Sequence, residues 1–201
     1  MNVAVLGSGS WATALAKIVM NNVDEINWYI RKQETIDEFI ESRRNPNHLE
    51  WAYFDTNKIY FSSDINEVLD LSNTIIVAIP SPYVKSCLDE INIDISHKKI
   101  ISAVKGMIPD EHVLVTDYIH EHFGVPHENI GVIAGPCHAE EIALERLSYL
   151  TIGGISEENT QAWSELLTTK FVHVTRSNDV IGLEYSSVLK NIYAIAAGIC
   201  S

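Results

Sequence analysis

A glycine-rich turn and two distant lysines are the residues of this sequence best equipped for chemistry. The run Gly7-Ser8-Gly9-Ser10-Trp11-Ala12 follows the apolar stretch Val3-Ala4-Val5-Leu6 and leads into Ala12, Leu15, Ala16 and Val19, which recur at helical spacing. Between a strand and a helix, a G-x-G-x-x-A pattern suits a dinucleotide pyrophosphate. Gly7 permits the tight turn, Gly9 lets the backbone approach a phosphate without a Cβ in the way, and Ala12 lets helix and strand pack closely. The free amides at the helix start, with its partial positive charge, then hold the anion. Any tight strand–helix turn favours glycine, so the setting carries the reading more than the glycines do. Downstream, Asn27-Trp28-Tyr29-Ile30 ends in Arg31-Lys32, with no carboxylate before Glu34. An acidic residue there would bind a ribose 2′-hydroxyl, whereas a cation accommodates a 2′-phosphate, so NADP, or use of both NADP and NAD, is expected. Two solvated surface cations would give the same pattern.

Lys105 closes the core run Ile100-Ile101-Ser102-Ala103-Val104. Ligands of a doubly wound sheet bind at the carboxyl ends of its strands, and a lysine there can fix a phosphate or carbonyl oxygen as a compact charge. A snorkelling strand-end lysine has the same spacing. Pro80-Ser81-Pro82 and Gly135-Pro136-Cys137 end two further runs, the second either a site or an ordinary turn before a helix starting at His138 to Glu141. Lys190 lies on the last helical segment and shares a face with Glu184, Ser187 and Asn191. A polar stripe is usually a solvated face. If it lines a cleft, Lys190 is a desolvated general acid–base, its pKa lowered by burial or by Lys105. His120, His122 and His127 lack zinc-binding spacing, and no metal site is expected.

The elements that position these residues alternate in type. Short apolar runs at Val3–Leu6, Ile26–Ile30, Thr74–Ile79, Lys99–Val104, Ile130–Ala134, Leu150–Ile152 and Phe171–Val174 alternate with helical patterns. That is the signature of a parallel sheet with crossover helices. The expected fold is α/β, a Rossmann-like, doubly wound and mostly parallel sheet over residues 1–178. Residues 179–201 then begin a helical domain. Asn45–Tyr60, with Pro46, His48, Trp51, Tyr53 and Phe54, breaks the rhythm as a long loop before a short strand near Ile59–Phe61. Such loops are often functional, though some merely pack. Gly182 to Ser201 is so apolar that a second domain or another subunit is expected to cover it.

Composition narrows the partners. The formal charge of −13 argues against nucleic acid and anionic membranes, which need a cationic surface. A small anionic substrate needs only a few cations in one cleft. Cys87, Cys137 and Cys200 are odd in number and widely spaced, which suits a reducing compartment. No apolar run approaches the roughly 20 residues that span a bilayer, and no signal segment precedes Asn2–Leu6, so a cytoplasmic protein is expected.

Five segments together resemble the bacterial form of NAD(P)-dependent glycerol-3-phosphate dehydrogenase. They are the glycine loop through Ala16, Ile79-Pro80-Ser81, Ser102-Ala103-Val104-Lys105-Gly106, Ala134-Gly135-Pro136-Cys137-His138-Ala139-Glu140-Glu141, and Glu184-Tyr185-Ser186-Ser187-Val188-Leu189-Lys190-Asn191. The resemblance implies hydride transfer between a nicotinamide and C2 of dihydroxyacetone phosphate or sn-glycerol 3-phosphate, feeding glycerophospholipid synthesis in a homodimer. It implies cofactor contacts from Gly7, Gly9, Ser10, Trp11, Ala12, Arg31, Lys32, Pro80, Lys105 and Ala139. Lys105, Gly135, Cys137 and Lys190 would face the substrate, with Lys190 and Lys105 catalytic and Lys190 the proton acceptor in alcohol oxidation. Three departures stand out. Ala12 replaces the loop's third glycine, Cys137 replaces the usual Ser or Thr, and most of the family's helical substrate domain is missing. The chain alone is thus expected to bind cofactor and to be incomplete for turnover. Rival readings are a reductase of a 3-hydroxy acid or ketopantoate, and a non-catalytic dinucleotide sensor that dimerises through the last helix.

Overall fold

The computed structural model describes residues 2–109 and 111–200, and each apolar run becomes a strand. The strands are β1 (Val3–Leu6), β2 (Ile26–Tyr29), β3 (Ile59–Ser62), β4 (Thr74–Val77), β5 (Lys99–Ser102), β6 (Ile130–Ala134), β7 (Ser148–Gly154) and β8 (Val172–Ser177). They form one sheet in the order β3-β2-β1-β4-β5-β6-β7-β8. The connecting helices are α1 (Ser10–Val19), α2 (Gln33–Ser42), α3 (Ile65–Asp70), α4 (Ser81–Leu88), α5 (Val115–Phe123), α6 (Ala139–Ala143) and α7 (Glu157–Leu167), and α8 (Val180–Cys200) follows the last strand. Ser201, where the apolar segment ends in the sequence, lies outside the described residues.

Consecutive apolar residues in the strands serve two separate cores. Val3, Val5, Trp28, Ile76 and Ile101 pack on one face, whereas Ala4, Leu6, Tyr29, Ile75, Val77 and Ile100 pack on the other. A strand buried on both faces has no solvent-facing positions to make polar, so its sequence does not alternate. The strand order reverses between β1 and β4, and the crevice of a doubly wound sheet opens at that switch, outside the carboxyl ends.

The last two strands depart from the parallel pattern. β7 runs antiparallel to β6, and β8 runs parallel to β7. The connection from β6 holds only the five-residue α6 and turns back at the carboxyl edge, without the long crossover that a parallel neighbour requires. β8 therefore ends at the opposite edge, and α8 must travel back over the sheet. It packs on β6 and β7, so close that a Cβ at Gly153 would lie 2.6 Å from Leu183 Cδ1. This reversal is what carries Lys190 toward the edge that holds the glycine loop.

The apolar α8 is covered only in part. Tyr193 is 66% exposed, Ile195 65% and Ile199 80%, so this chain does not itself bury the helix as its composition demands.

Candidate active site

The glycine loop is fixed by steric necessity and by polar contacts from outside it. Gly7 adopts φ +116°, and a Cβ there would stand 2.5 Å from the carbonyl oxygen of Ala78, so only glycine fits. Ala12 is fully buried in the core beneath the turn. Gly9 immediately precedes α1, and a side chain there would meet no protein atom within 4 Å. The first helical hydrogen bond runs from Thr13 N to the Gly9 carbonyl, which leaves the amides of Ser10, Trp11 and Ala12 facing the open end of the helix. Open space beside free amides and a helix's positive end fits the pyrophosphate of a nicotinamide dinucleotide.

Two elements brace this loop. Trp28, fully buried among Phe39, Phe54 and Phe61, donates its Nε1 to the Gly7 carbonyl at 2.7 Å. Asn45, also fully buried, donates Nδ2 to the Ser8 carbonyl and to Thr13 Oγ1, both at 2.8 Å. His48 Nδ1 lies 3.2 Å from Ser10 Oγ. The long loop thus packs against the rest of the chain and braces the turn. Leu49, Ala52 and Phe54 pack into the core, while Asn45 and His48 hold the glycine turn. Sequence reading gave Asn45 and His48 no role, because nothing local marks an asparagine whose partners lie more than thirty residues upstream.

A cleft of about 230 Å³ runs from this loop along the carboxyl ends of β2 and β4. Gly7, Gly9, Arg31, Pro80 and His48 line it, as do Tyr29, Tyr83, Ser86, Cys87 and Glu90. Of the two cations after β2, only Arg31 forms its wall; Lys32 is exposed and precedes α2.

Farther along the same edge, Lys105 Nζ lies 4.5 Å above the Trp11 ring, a geometry in which the ring's negative face attracts the ammonium. Burial of its charged end and then the nearby charge of Lys190 lower the Lys105 pKa. The two lysines, eighty-five positions apart in sequence, thus stand within electrostatic reach. Lys190 itself is exposed, as the solvated-face alternative for this stripe has it. Glu184 corrects the polar stripe: it is fully buried and does not line a cleft with Lys190. Its carboxylate accepts from the amides of Val115 and Thr116 and from Thr116 Oγ1, so it caps α5 and anchors α8. Ser187 is half-buried and donates to the Leu183 carbonyl, while the side chain of Asn191 lies outside the described residues.

The turn after β6 is built by packing. Gly135 adopts φ +150°, and a Cβ there would stand 2.7 Å from the Tyr149 carbonyl oxygen. Cys137 is buried, and its thiol donates to the same carbonyl. Burial raises its pKa, against the charges of Lys105 and Lys190. Ala139 opens α6 and packs against the core beside α1.

The family model described as the NAD-dependent glycerol-3-phosphate dehydrogenase N-terminus matches residues 2–162. Glycerol-3-phosphate dehydrogenase [NAD(P)+] of an Exiguobacterium species is 34% identical over 199 residues, covering 98% of this chain and 58% of that protein. The enzyme of that name from Oceanobacillus iheyensis is 32% identical, covering 98% and 57%. The chain thus spans less than three-fifths of either relative's length. A solved glycerol-3-phosphate dehydrogenase of Plasmodium falciparum superposes with TM-score 0.89 at 28% identity, over 100% of this chain and 58% of that one.

Proposed function

Because the chain belongs to the NAD-dependent glycerol-3-phosphate dehydrogenase family, we propose that it binds NAD(P)H and takes part in reducing dihydroxyacetone phosphate to sn-glycerol 3-phosphate. When bound, the nicotinamide supplies the hydride. Gly7, Gly9, Ser10, Trp11 and Ala12 hold the pyrophosphate at the start of α1, with Arg31, Lys32, Pro80 and Ala139 as further cofactor contacts. Lys105, Gly135 and Cys137 face the substrate. The thiol of Cys137 contributes through the turn it closes, since it is already engaged with Tyr149. Lys190 gives a proton to the ketone oxygen in reduction and takes it back in oxidation, and Lys105 fixes a substrate oxygen beside it. Residues 1–178 are the dinucleotide domain, and 179–201 begin a helical substrate domain. A cytoplasmic homodimer and glycerophospholipid synthesis complete the reading; no helix among the described residues is long and apolar enough to cross a membrane.

The observation that carries this reading is that Lys105, from mid-chain, sits 4.5 Å above the Trp11 ring of the glycine loop, with Lys190 of the last helix within electrostatic reach. Lys190 acts on the Lys105 pKa at the edge where the glycine loop opens. The test is NADPH oxidation with dihydroxyacetone phosphate by the protein at native length. Lys190→Ala should lower turnover by about 10²- to 10⁴-fold while NADPH binding persists. Tight NADPH binding without turnover in the unaltered protein would instead favour a dinucleotide sensor.

A further inference from the structure

The cleft beside the glycine loop has walls of opposite charge. Arg31 follows β2 on one side, and Glu90, just beyond the end of α4, lines the other. Among the described residues neither forms an ion pair, so both charges are left to act on whatever lies between them. The cleft also borders Tyr29 and Cys87, both buried. Burial is the main cause of their raised pKa values, taking Cys87 to about 11, but Glu90 raises both further and Arg31 lowers both. The two charges therefore bear on one small volume. The Tyr29 hydroxyl is buried beside it: the residue is only 2% exposed, and the group its hydroxyl faces is the thiol of Cys87. A thiol is a weak acceptor, so the hydroxyl gains by donating to a stronger one.

We infer that Glu90 is a specificity determinant of this cleft, opposing Arg31 so that NAD(H) and NADP(H) are both accepted, while the Tyr29 hydroxyl serves the adenosine end that the two cofactors share. The inference rests on the dinucleotide reading proposed above. A 2′-phosphate carries roughly −1.5 to −2 charges near neutral pH, as a phosphorylated side chain does. Arg31 attracts that charge and Glu90 repels it. A 2′-hydroxyl is indifferent to Arg31 and can donate to a carboxylate, the role usually filled by an acidic residue directly after the second strand. Here that place holds only cations, and the carboxylate comes from α4. Because both charges are exposed, screening keeps the effect modest and dependent on salt.

The test is titration of NADH and NADPH by nicotinamide fluorescence, at low and raised ionic strength. Glu90→Gln should tighten NADPH about fivefold relative to NADH, with the gain shrinking as salt is added. Tyr29→Phe should weaken both cofactors alike and leave their ratio unchanged. An unchanged NADPH-to-NADH ratio in Glu90→Gln, with both nucleotides still bound, would overturn the inference and leave the dinucleotide reading intact. Failure of the unaltered protein to bind either nucleotide would bring down both.

Discussion

Around the glycine loop, Trp28, Asn45 and His48 reach in from β2 and the loop after α2 to engage Gly7, Ser8 and Ser10, with Trp28 and Asn45 fully buried and His48 half-buried. Around Lys190 the chain offers much less. The nearest buried anchor is Glu184, six residues back and about 9 Å along the helix, and Tyr193 and Ile195 just beyond are mostly exposed. The end proposed for phosphate binding is thus shaped by contacts internal to one domain. The end proposed for proton transfer is aimed by the packing of the start of α8 on β6 and β7, by one carboxylate, and by the stiffness of the helix beyond them.

The sharpest way to break this contrast is Gly7→Ala. A methyl group at φ +116°, driven against the Ala78 carbonyl, should cost about 3 kcal/mol in urea unfolding and abolish cofactor binding. Stability like that of the parent would mean that the loop is less rigid than its contacts imply. Glu184→Ala should come next, costing about 2 kcal/mol, since the Val115 and Thr116 amides lose a charged acceptor. If the two regions are independent, cofactor affinity at the glycine loop stays unchanged in that variant. Burial raises the Glu184 pKa, so the folded protein takes up this proton more readily than the unfolded chain. The corresponding stabilisation is fully present below the unfolded pKa and is lost as pH rises through the raised folded value. Parent stability measured against Glu184→Gln should therefore improve on acidification; a difference independent of pH would contradict the assignment. The smallest effect probes the link between the regions. Lys190→Met removes a nearby positive charge and should raise the Lys105 pKa toward its ordinary value, read by NMR titration. No movement of Lys105 would separate the two edges altogether.

Most of the sheet was legible because buried strands need consecutive apolar residues. Val3–Leu6 and Ile130–Ala134 begin and end where the apolar runs do. The glycine turn was legible because its conformation demands residue types that few other settings demand. The polar stripe on α8 was misread because helical spacing places Glu184 and Lys190 on one side of the helix without saying what lies opposite. Opposite Glu184 is the start of α5, whose unpaired amides attract a carboxylate, so one residue is buried and the other remains exposed. Glu90 and Asn45 were silent for a related reason: Asn45 hydrogen-bonds residues distant in sequence, and Glu90 shares a cleft with them, and neither arrangement leaves a periodicity.

The sequence by itself determined the strands, the turn that only glycine can make, and two lysines of suitable chemistry, because all of these follow from local sterics and from burial pattern. Only the tertiary structure decided which of its charges meet. The reversal at β7 sends α8 back across the sheet, bringing Lys190 toward Lys105, and the approach of Cys87 on α4 to Tyr29 on β2 sets Glu90 in one cleft with Arg31. Electrostatic effects depend on separations in space, and the folded path of the chain sets those separations.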